Sequence, residues 1–142
     1  MKEGQSITLG IALRGFFYKY LPQLRGMSTH TILSYRDSLK LLLQFLAQQR
    51  NISVSDLIIE NIGIAEVIAF LDYLEVNRHN GIGTRNTRLS AIHSFFRYVA
   101  GTSPEHLDQS QRILRNLIEL TLPTSIRSDL VIPVASKLIS NE

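Results

Sequence analysis

STHTILSYRDSLKLLLQFLAQQR, residues 28–50, has the periodicity of one long amphipathic helix. Ile32, Tyr35, Leu39, Leu42 and Leu46 advance by threes and fours, and Leu43 joins them, so the apolar side chains gather on one face. Ser28 stands where an N-cap is needed, and nothing before Arg50 interrupts the pattern. Four further segments read the same way. Leu13, Phe16, Phe17, Tyr20 and Leu21 give a first helix over about 9–21, stopped by Pro22 and Gly26. Val67, Phe70, Leu71 and Leu74 give a third over 64–77. Leu89, Ile92, Phe96 and Val99, widened by Phe95, give a fourth from Thr84 to near Gly101. A fifth runs from Ser103 as N-cap and Pro104 at the first helical position to about Leu120. Residues 51–62 form a mixed connector with turns, and 77–83 a loop. No segment before residue 120 alternates with the period of a strand, so the expected fold is all-α, a compact bundle of four to five helices.

The chain has 142 residues, 44% of them apolar and 19% charged, which suffices for one domain with a real core. The helical domain is expected over 1–120. Residues 121–142, with Pro123, Pro133 and the apolar runs 130–132 and 135–139, read as a linker or altered extension. There is no cysteine, which removes disulfides, thiolate metal sites and cysteine nucleophiles. The N-terminus lacks the pattern of a signal peptide, and no uncharged apolar run approaches the roughly 20 residues that span a bilayer. A cytoplasmic protein that uses no membrane follows as the expectation.

Chemistry-bearing patterns are sparse. His30, His79, His93 and His106 form no metal-ligand spacing, Gly81-Ile82-Gly83 is too short for a phosphate loop, and no serine or threonine has a visible base. The sequence therefore predicts no active site, metal, cofactor or small-molecule substrate. Charge is more informative. The net charge is +3, but from Asn51 to Val76 every charge is acidic, and from Asn77 to Gly101 every charge is basic. Such segregation suggests a positive side suited to a polyanion. On the second helix Thr29, Arg36 and Lys40 lie on one strip, with Thr29, His30 and Thr31 at the helix start, where free N–H groups favour phosphate. On the fourth, Thr84, Arg85, Asn86 and Arg88 crowd the first turns. Two arginines there oppose the helix dipole, and a bound anion would explain them. Asn86, Ser90, His93 and Arg97 continue as a polar strip suited to phosphate positioning and base reading. Most aromatic side chains belong to the apolar stripes. Tyr35 and Tyr98 place hydroxyls at the core edge and are not read as nucleophiles.

Two stretches carry a resemblance. Ser28-Thr29-His30-Thr31-Ile32-Leu33-Ser34-Tyr35-Arg36-Asp37 resembles the S-x-N-T-x-x-x-Y opening of the second helix in tyrosine-type site-specific recombinases of the phage-integrase family. Thr84-Arg85-Asn86-Thr87-Arg88-Leu89-Ser90-Ala91-Ile92-His93-Ser94-Phe95-Phe96-Arg97-Tyr98 resembles their fourth-helix signature. The resemblance covers about residues 8–120. It implies the SAM-like core-binding domain, whose second and fourth helices face double-stranded DNA while a following catalytic domain closes the clamp. Carried over by position, Thr29, His30, Thr31, Ser34, Arg36 and Lys40 become candidate DNA contacts on one helix, and Thr84, Arg85, Asn86, Arg88, His93 and Arg97 on the other. His30 stands where asparagine is frequent, and His93 where arginine is. The family's catalytic arginine, lysine, His-x-x-Arg and tyrosine set lies in the following domain. Here the last tyrosine is Tyr98 and no His-x-x-Arg occurs. The expectation is a truncated DNA-binding module of a recombinase or integrase, not itself an enzyme, with self-association on DNA. The alternative is a helical protein-interaction module.

Overall fold

A computed structural model of the chain describes residues 7–77 and 81–120. Arg78, His79 and the extension expected over 121–142 lie outside the described residues. Within them the chain is helical and contains no strand, as the periodicity predicts. The first helix, α1, is α-helical over Leu9–Gly15, π-helical over Phe16–Tyr20, and closes with an α turn, Leu21–Gln23. It is followed by α2 (Thr29–Arg50), α3 (Ile64–Asn77), α4 (Ile82–Thr102) and α5 (Leu107–Leu120). Short 3-10 turns at Val54–Asp56, Ile59–Asn61 and Pro104–His106 complete the chain path.

The π segment was not visible in the periodicity, and Pro22 accounts for it. A proline in an α turn lacks the N–H that would bond the carbonyl four residues back, and its ring presses on that carbonyl. Widening the preceding turn, so that the Leu21 N–H bonds the Phe16 carbonyl, relieves the crowding. Helix α2 begins as the sequence predicts: the Ser28 hydroxyl accepts the Thr31 N–H at 3.1 Å. It ends on Asn51 in the left-handed region, with φ 57°, and the Ile52 N–H returning to the Ala47 carbonyl at 3.0 Å.

Leu39, Leu42 and Leu46 of α2 meet Phe70, Leu71 and Leu74 of α3, Leu89, Ile92 and Phe96 of α4, and Ile113 and Leu117 of α5 in one core. Helix α4 lies at the centre, packing most extensively on α5 and then on α2. An aromatic cluster fastens α1 to it: the buried Phe16 ring lies 5.4 Å from Phe95 and 5.9 Å from Tyr98, and Tyr20 lies 5.2 Å from Tyr98. The connector is anchored by buried Leu57, Ile59 and Ile62 and by Gln109, whose amide donates to the Ile59 and Ile62 carbonyls at 2.8 Å each.

Ser103 departs from its expected role. Its hydroxyl caps no backbone N–H. It lies 2.7 Å from His106 Nδ1 instead, and His106 Nε2 lies 2.8 Å from Glu60 Oε2. A carboxylate only accepts, so Nε2 carries a proton toward Glu60, while Nδ1 accepts from the serine hydroxyl in the neutral ring and donates to it in the charged one. The line of groups ties the start of α5 to the connector. Ser103 and His106 are each 2% exposed, which encloses the hydroxyl and leaves it no access to a substrate.

Candidate nucleic-acid interface

The two stretches singled out in the sequence lie on helices that touch. Arg88 of α4 donates from Nη1 to the Ser38 hydroxyl of α2 at 3.0 Å, and that hydroxyl donates to the Ser34 carbonyl at 2.9 Å. Ser38 is fully buried at the crossing, while Thr31 and Ser34, two turns and one turn earlier on the same side of α2, are half-buried. Thr29 and His30 are exposed on the first turn. Thr31 also serves the cap, its hydroxyl 3.0 Å from that of Ser28.

Arg36 and Lys40 are exposed, but not toward α4. Each is two residues from Ser38, about 200° around an α-helix, so they leave the opposite flank of α2. There they border a groove with Leu13 and Phe17 of α1 and Val54 of the connector. The cations of the two helices therefore do not line one groove. The side of α2 that meets α4 carries hydroxyls, and its cations sit on the flank toward α1.

Arg85 requires the firmest correction. It is 1% exposed, and its Nε lies 2.7 Å from Glu75 Oε2 of α3. The anion that explains an arginine at this helix start is a carboxylate of the same chain. Arg85 precedes Leu89, Ile92 and Phe96 by four, seven and eleven residues, which sets it on the core face. Periodicity thus sets Arg85 inward, where its charge alone suggests the surface. The acidic and basic halves of the sequence are thus joined internally, at least at this pair. Arg88 lies nearer the same face and is half-buried.

The rest of the α4 strip does face outward. Thr84, Ser90 and Arg97 are exposed, and Asn86 and His93 are half-buried. The Thr87 hydroxyl turns back to the Gly83 carbonyl at 3.1 Å. Burial, reinforced by the Arg97 charge one turn on, holds the His93 imidazole below its ordinary value of 6.5. Among the described residues no cluster of three or more histidine, aspartate or glutamate side chains is placed to hold a metal ion. No helix there is long and apolar enough to cross a membrane.

This arrangement defines a small helical domain with two polar helix faces joined at a crossing. Comparison with known proteins gives the class. The family described as the phage integrase N-terminal SAM-like domain matches residues 15–101. Two integrase/recombinase-like proteins of Sinorhizobium fredii are similar: y4rC is 45% identical over 107 residues, covering 75% of this chain and 32% of that protein. For y4rD the values are 37% over 110 residues, 78% and 39%. Tyrosine recombinase XerC of Rhodospirillum centenum is 34% identical over 82 residues, 56% of this chain and 23% of that protein. No solved structure matches significantly. The chain belongs to the phage integrase N-terminal SAM-like family and is a tyrosine recombinase N-terminal domain. It spans about a third of the length of the two Sinorhizobium relatives.

Proposed function

We propose that this domain binds double-stranded DNA through α2 and α4 and holds a recombinase on its site, without carrying out strand exchange itself. The observation that carries the reading is the Arg88–Ser38 bond. It sets the two family motifs side by side, so that one duplex can meet both. In this reading Thr29, His30, Thr31 and Ser34 contribute from α2, and Thr84, Asn86, Arg88, His93 and Arg97 from α4. Hydroxyl and amide groups fix register on phosphates and base edges, and Arg88 and Arg97 supply charge. Arg36 and Lys40, on the far flank of α2, make no contact with the duplex in this reading. Arg85 holds the first turn of α4 against α3 and contacts no phosphate. Family membership supports DNA as the partner.

The test is fluorescence anisotropy of a labelled duplex titrated with the full chain over a range of salt. Binding is expected to weaken along a straight line in log salt. Arg97→Ala should flatten that slope by about 0.9, the value for one phosphate contact. Arg85→Met should leave the slope unchanged. Absence of binding at low salt overturns the reading, and so does a slope that responds to Arg85 but not to Arg97.

A further inference from the structure

We propose that the groove between α1 and α2 is a docking site for a partner protein, which inserts an amphipathic helix carrying apolar side chains on one face and carboxylates beside them. The groove has a volume of about 400 Å³. Its floor is Leu13, Phe17, Leu39, Leu43 and Val54, and its rim carries Arg36 and Lys40. Val54 is 43% exposed, more than a valine that serves only the core. Beyond Val54 the surface continues into a second concavity of about 480 Å³ that includes Leu41, Ile52 and Tyr73. No carboxylate lines the groove. Asp37 lies between the two cations on α2, yet no ion pair within 4.0 Å joins it to either.

Two features choose the occupant. An apolar floor is wasted on a nucleic-acid backbone, whose sugars and phosphates need polar partners, but it accepts Leu-type side chains spaced at i, i+3 or i+4, and i+7. Two cations at the edge of such a floor reward a partner with acidic flanks and repel a basic one. The flank also lies about 200° around α2 from Ser38. A segment bound there stays clear of the α2–α4 crossing, and the inference does not depend on the DNA reading.

The probe is a fluorescein-labelled helical peptide with leucines on one face and glutamates beside them. A counter-probe carries lysines in place of the glutamates. Both are titrated against the full chain. The acidic peptide is expected to bind saturably and the basic one much more weakly. Val54→Asp should weaken binding of the acidic peptide about tenfold, the effect of losing one apolar contact in a desolvated pocket. The double variant R36E/K40E should reverse the preference between the two peptides, a change that misfolding cannot produce. Saturating duplex should leave peptide binding intact.

Equal binding of both peptides, or no binding of either, overturns the proposal. So does displacement of the peptide by duplex, which would assign the cations to DNA. Displacement by a peptide of residues 126–142 would assign the groove to the chain's own C-terminal segment. Self-association abolished by Val54→Asp would assign it to a second copy. Either result also overturns the proposal.

Discussion

Gly15 and Tyr98 should form a pair in which the effect of one substitution changes sign with the other. Gly15 sits at the end of the α-helical part of α1 with an ordinary helical backbone, φ −63° and ψ −38°. Alanine there is free of backbone strain and should gain about 1 kcal/mol of helix preference over glycine. Space opposes it. A Cβ would overlap the Tyr98 hydroxyl outright and lie 3.1 Å from the ring Cζ. Tyr98 cannot swing aside cheaply, because its ring is held between Phe16 and Tyr20, with centroids at 5.9 and 5.2 Å. Overpacking of this kind costs about 1–3 kcal/mol. Gly15→Ala alone should therefore destabilise the domain by about 1 kcal/mol. Removing the hydroxyl with Tyr98→Phe takes away the overlapping atom and leaves a tight but tolerable ring contact. In that background Gly15→Ala should be neutral or stabilising, a coupling of about 1–2 kcal/mol. Urea unfolding followed by far-UV circular dichroism for the four chains closes the cycle, with equal slopes as the control. The same cost for Gly15→Ala in both backgrounds would refute the argument and with it the close seating of α1 on α4.

The Glu75–Arg85 pair should respond asymmetrically. Glu75→Gln keeps the volume but weakens the partner of a charge that is 1% exposed, at a cost of about 2–4 kcal/mol, whereas Arg85→Met removes the charge and leaves a carboxylate whose side chain is 26% exposed and can hydrate, at a cost of about 1 kcal/mol. Denaturation midpoints of the two variants check the order. Two groups set pH dependence. Burial raises the Glu60 carboxyl, but its own backbone N–H and the His106 hydrogen bond and charge outweigh this and hold it below 4.5. Its contribution to stability is complete above the unfolded carboxyl range and fades as pH falls through the lower folded value. His106→Gln should bring the acid unfolding limb to higher pH. His93 is lowered too, because burial disfavours its charged form: the folded state resists its protonation, so here also stability declines as pH drops below 6.5. A phosphate beside it would favour the proton, so duplex affinity should rise from about pH 8 to about pH 6, and His93→Gln should reduce the rise.

The helices were legible because their faces are clean. Ser28, the Leu39–Leu42–Leu46 ladder and the Leu89–Ile92–Phe96 ladder specify α2 and α4 almost to their ends, and the structure extends α4 back to Ile82. The site was legible only in part, since charge and periodicity compete for the same residue. At Arg85 the periodicity was right: four residues before Leu89 an arginine goes inside if a carboxylate is there to meet it. Glu75 was visible in the sequence, but nothing local says that α3 brings it within 2.7 Å. Ser103, His106 and Glu60 were missed for a similar reason. His106 and Glu60 are 46 residues apart, and only the packing of α5 on the connector makes them neighbours.

Withdrawing Arg85 changes how the proposed DNA binding by this domain is pictured. With Arg88 half-buried and already bonded to Ser38, the cation on α4 that is fully available is Arg97, and Arg36 and Lys40 stand off on another flank. The surface near the crossing is then mostly hydroxyls and amides: Thr29, Thr31, Ser34, Thr84, Asn86 and Ser90. Such groups confer register and discrimination at short range but little long-range attraction, since each offers hydrogen bonds rather than charge. Two to four phosphate contacts give a salt slope of only about −2 to −4, far from that of a protein that grips DNA by charge alone. A domain of this kind is suited to holding a duplex that a tethered partner has already brought near, because the tether replaces the missing attraction with effective concentration. On that argument, joining the chain to any second DNA-binding domain should raise affinity far more than adding one lysine to α2.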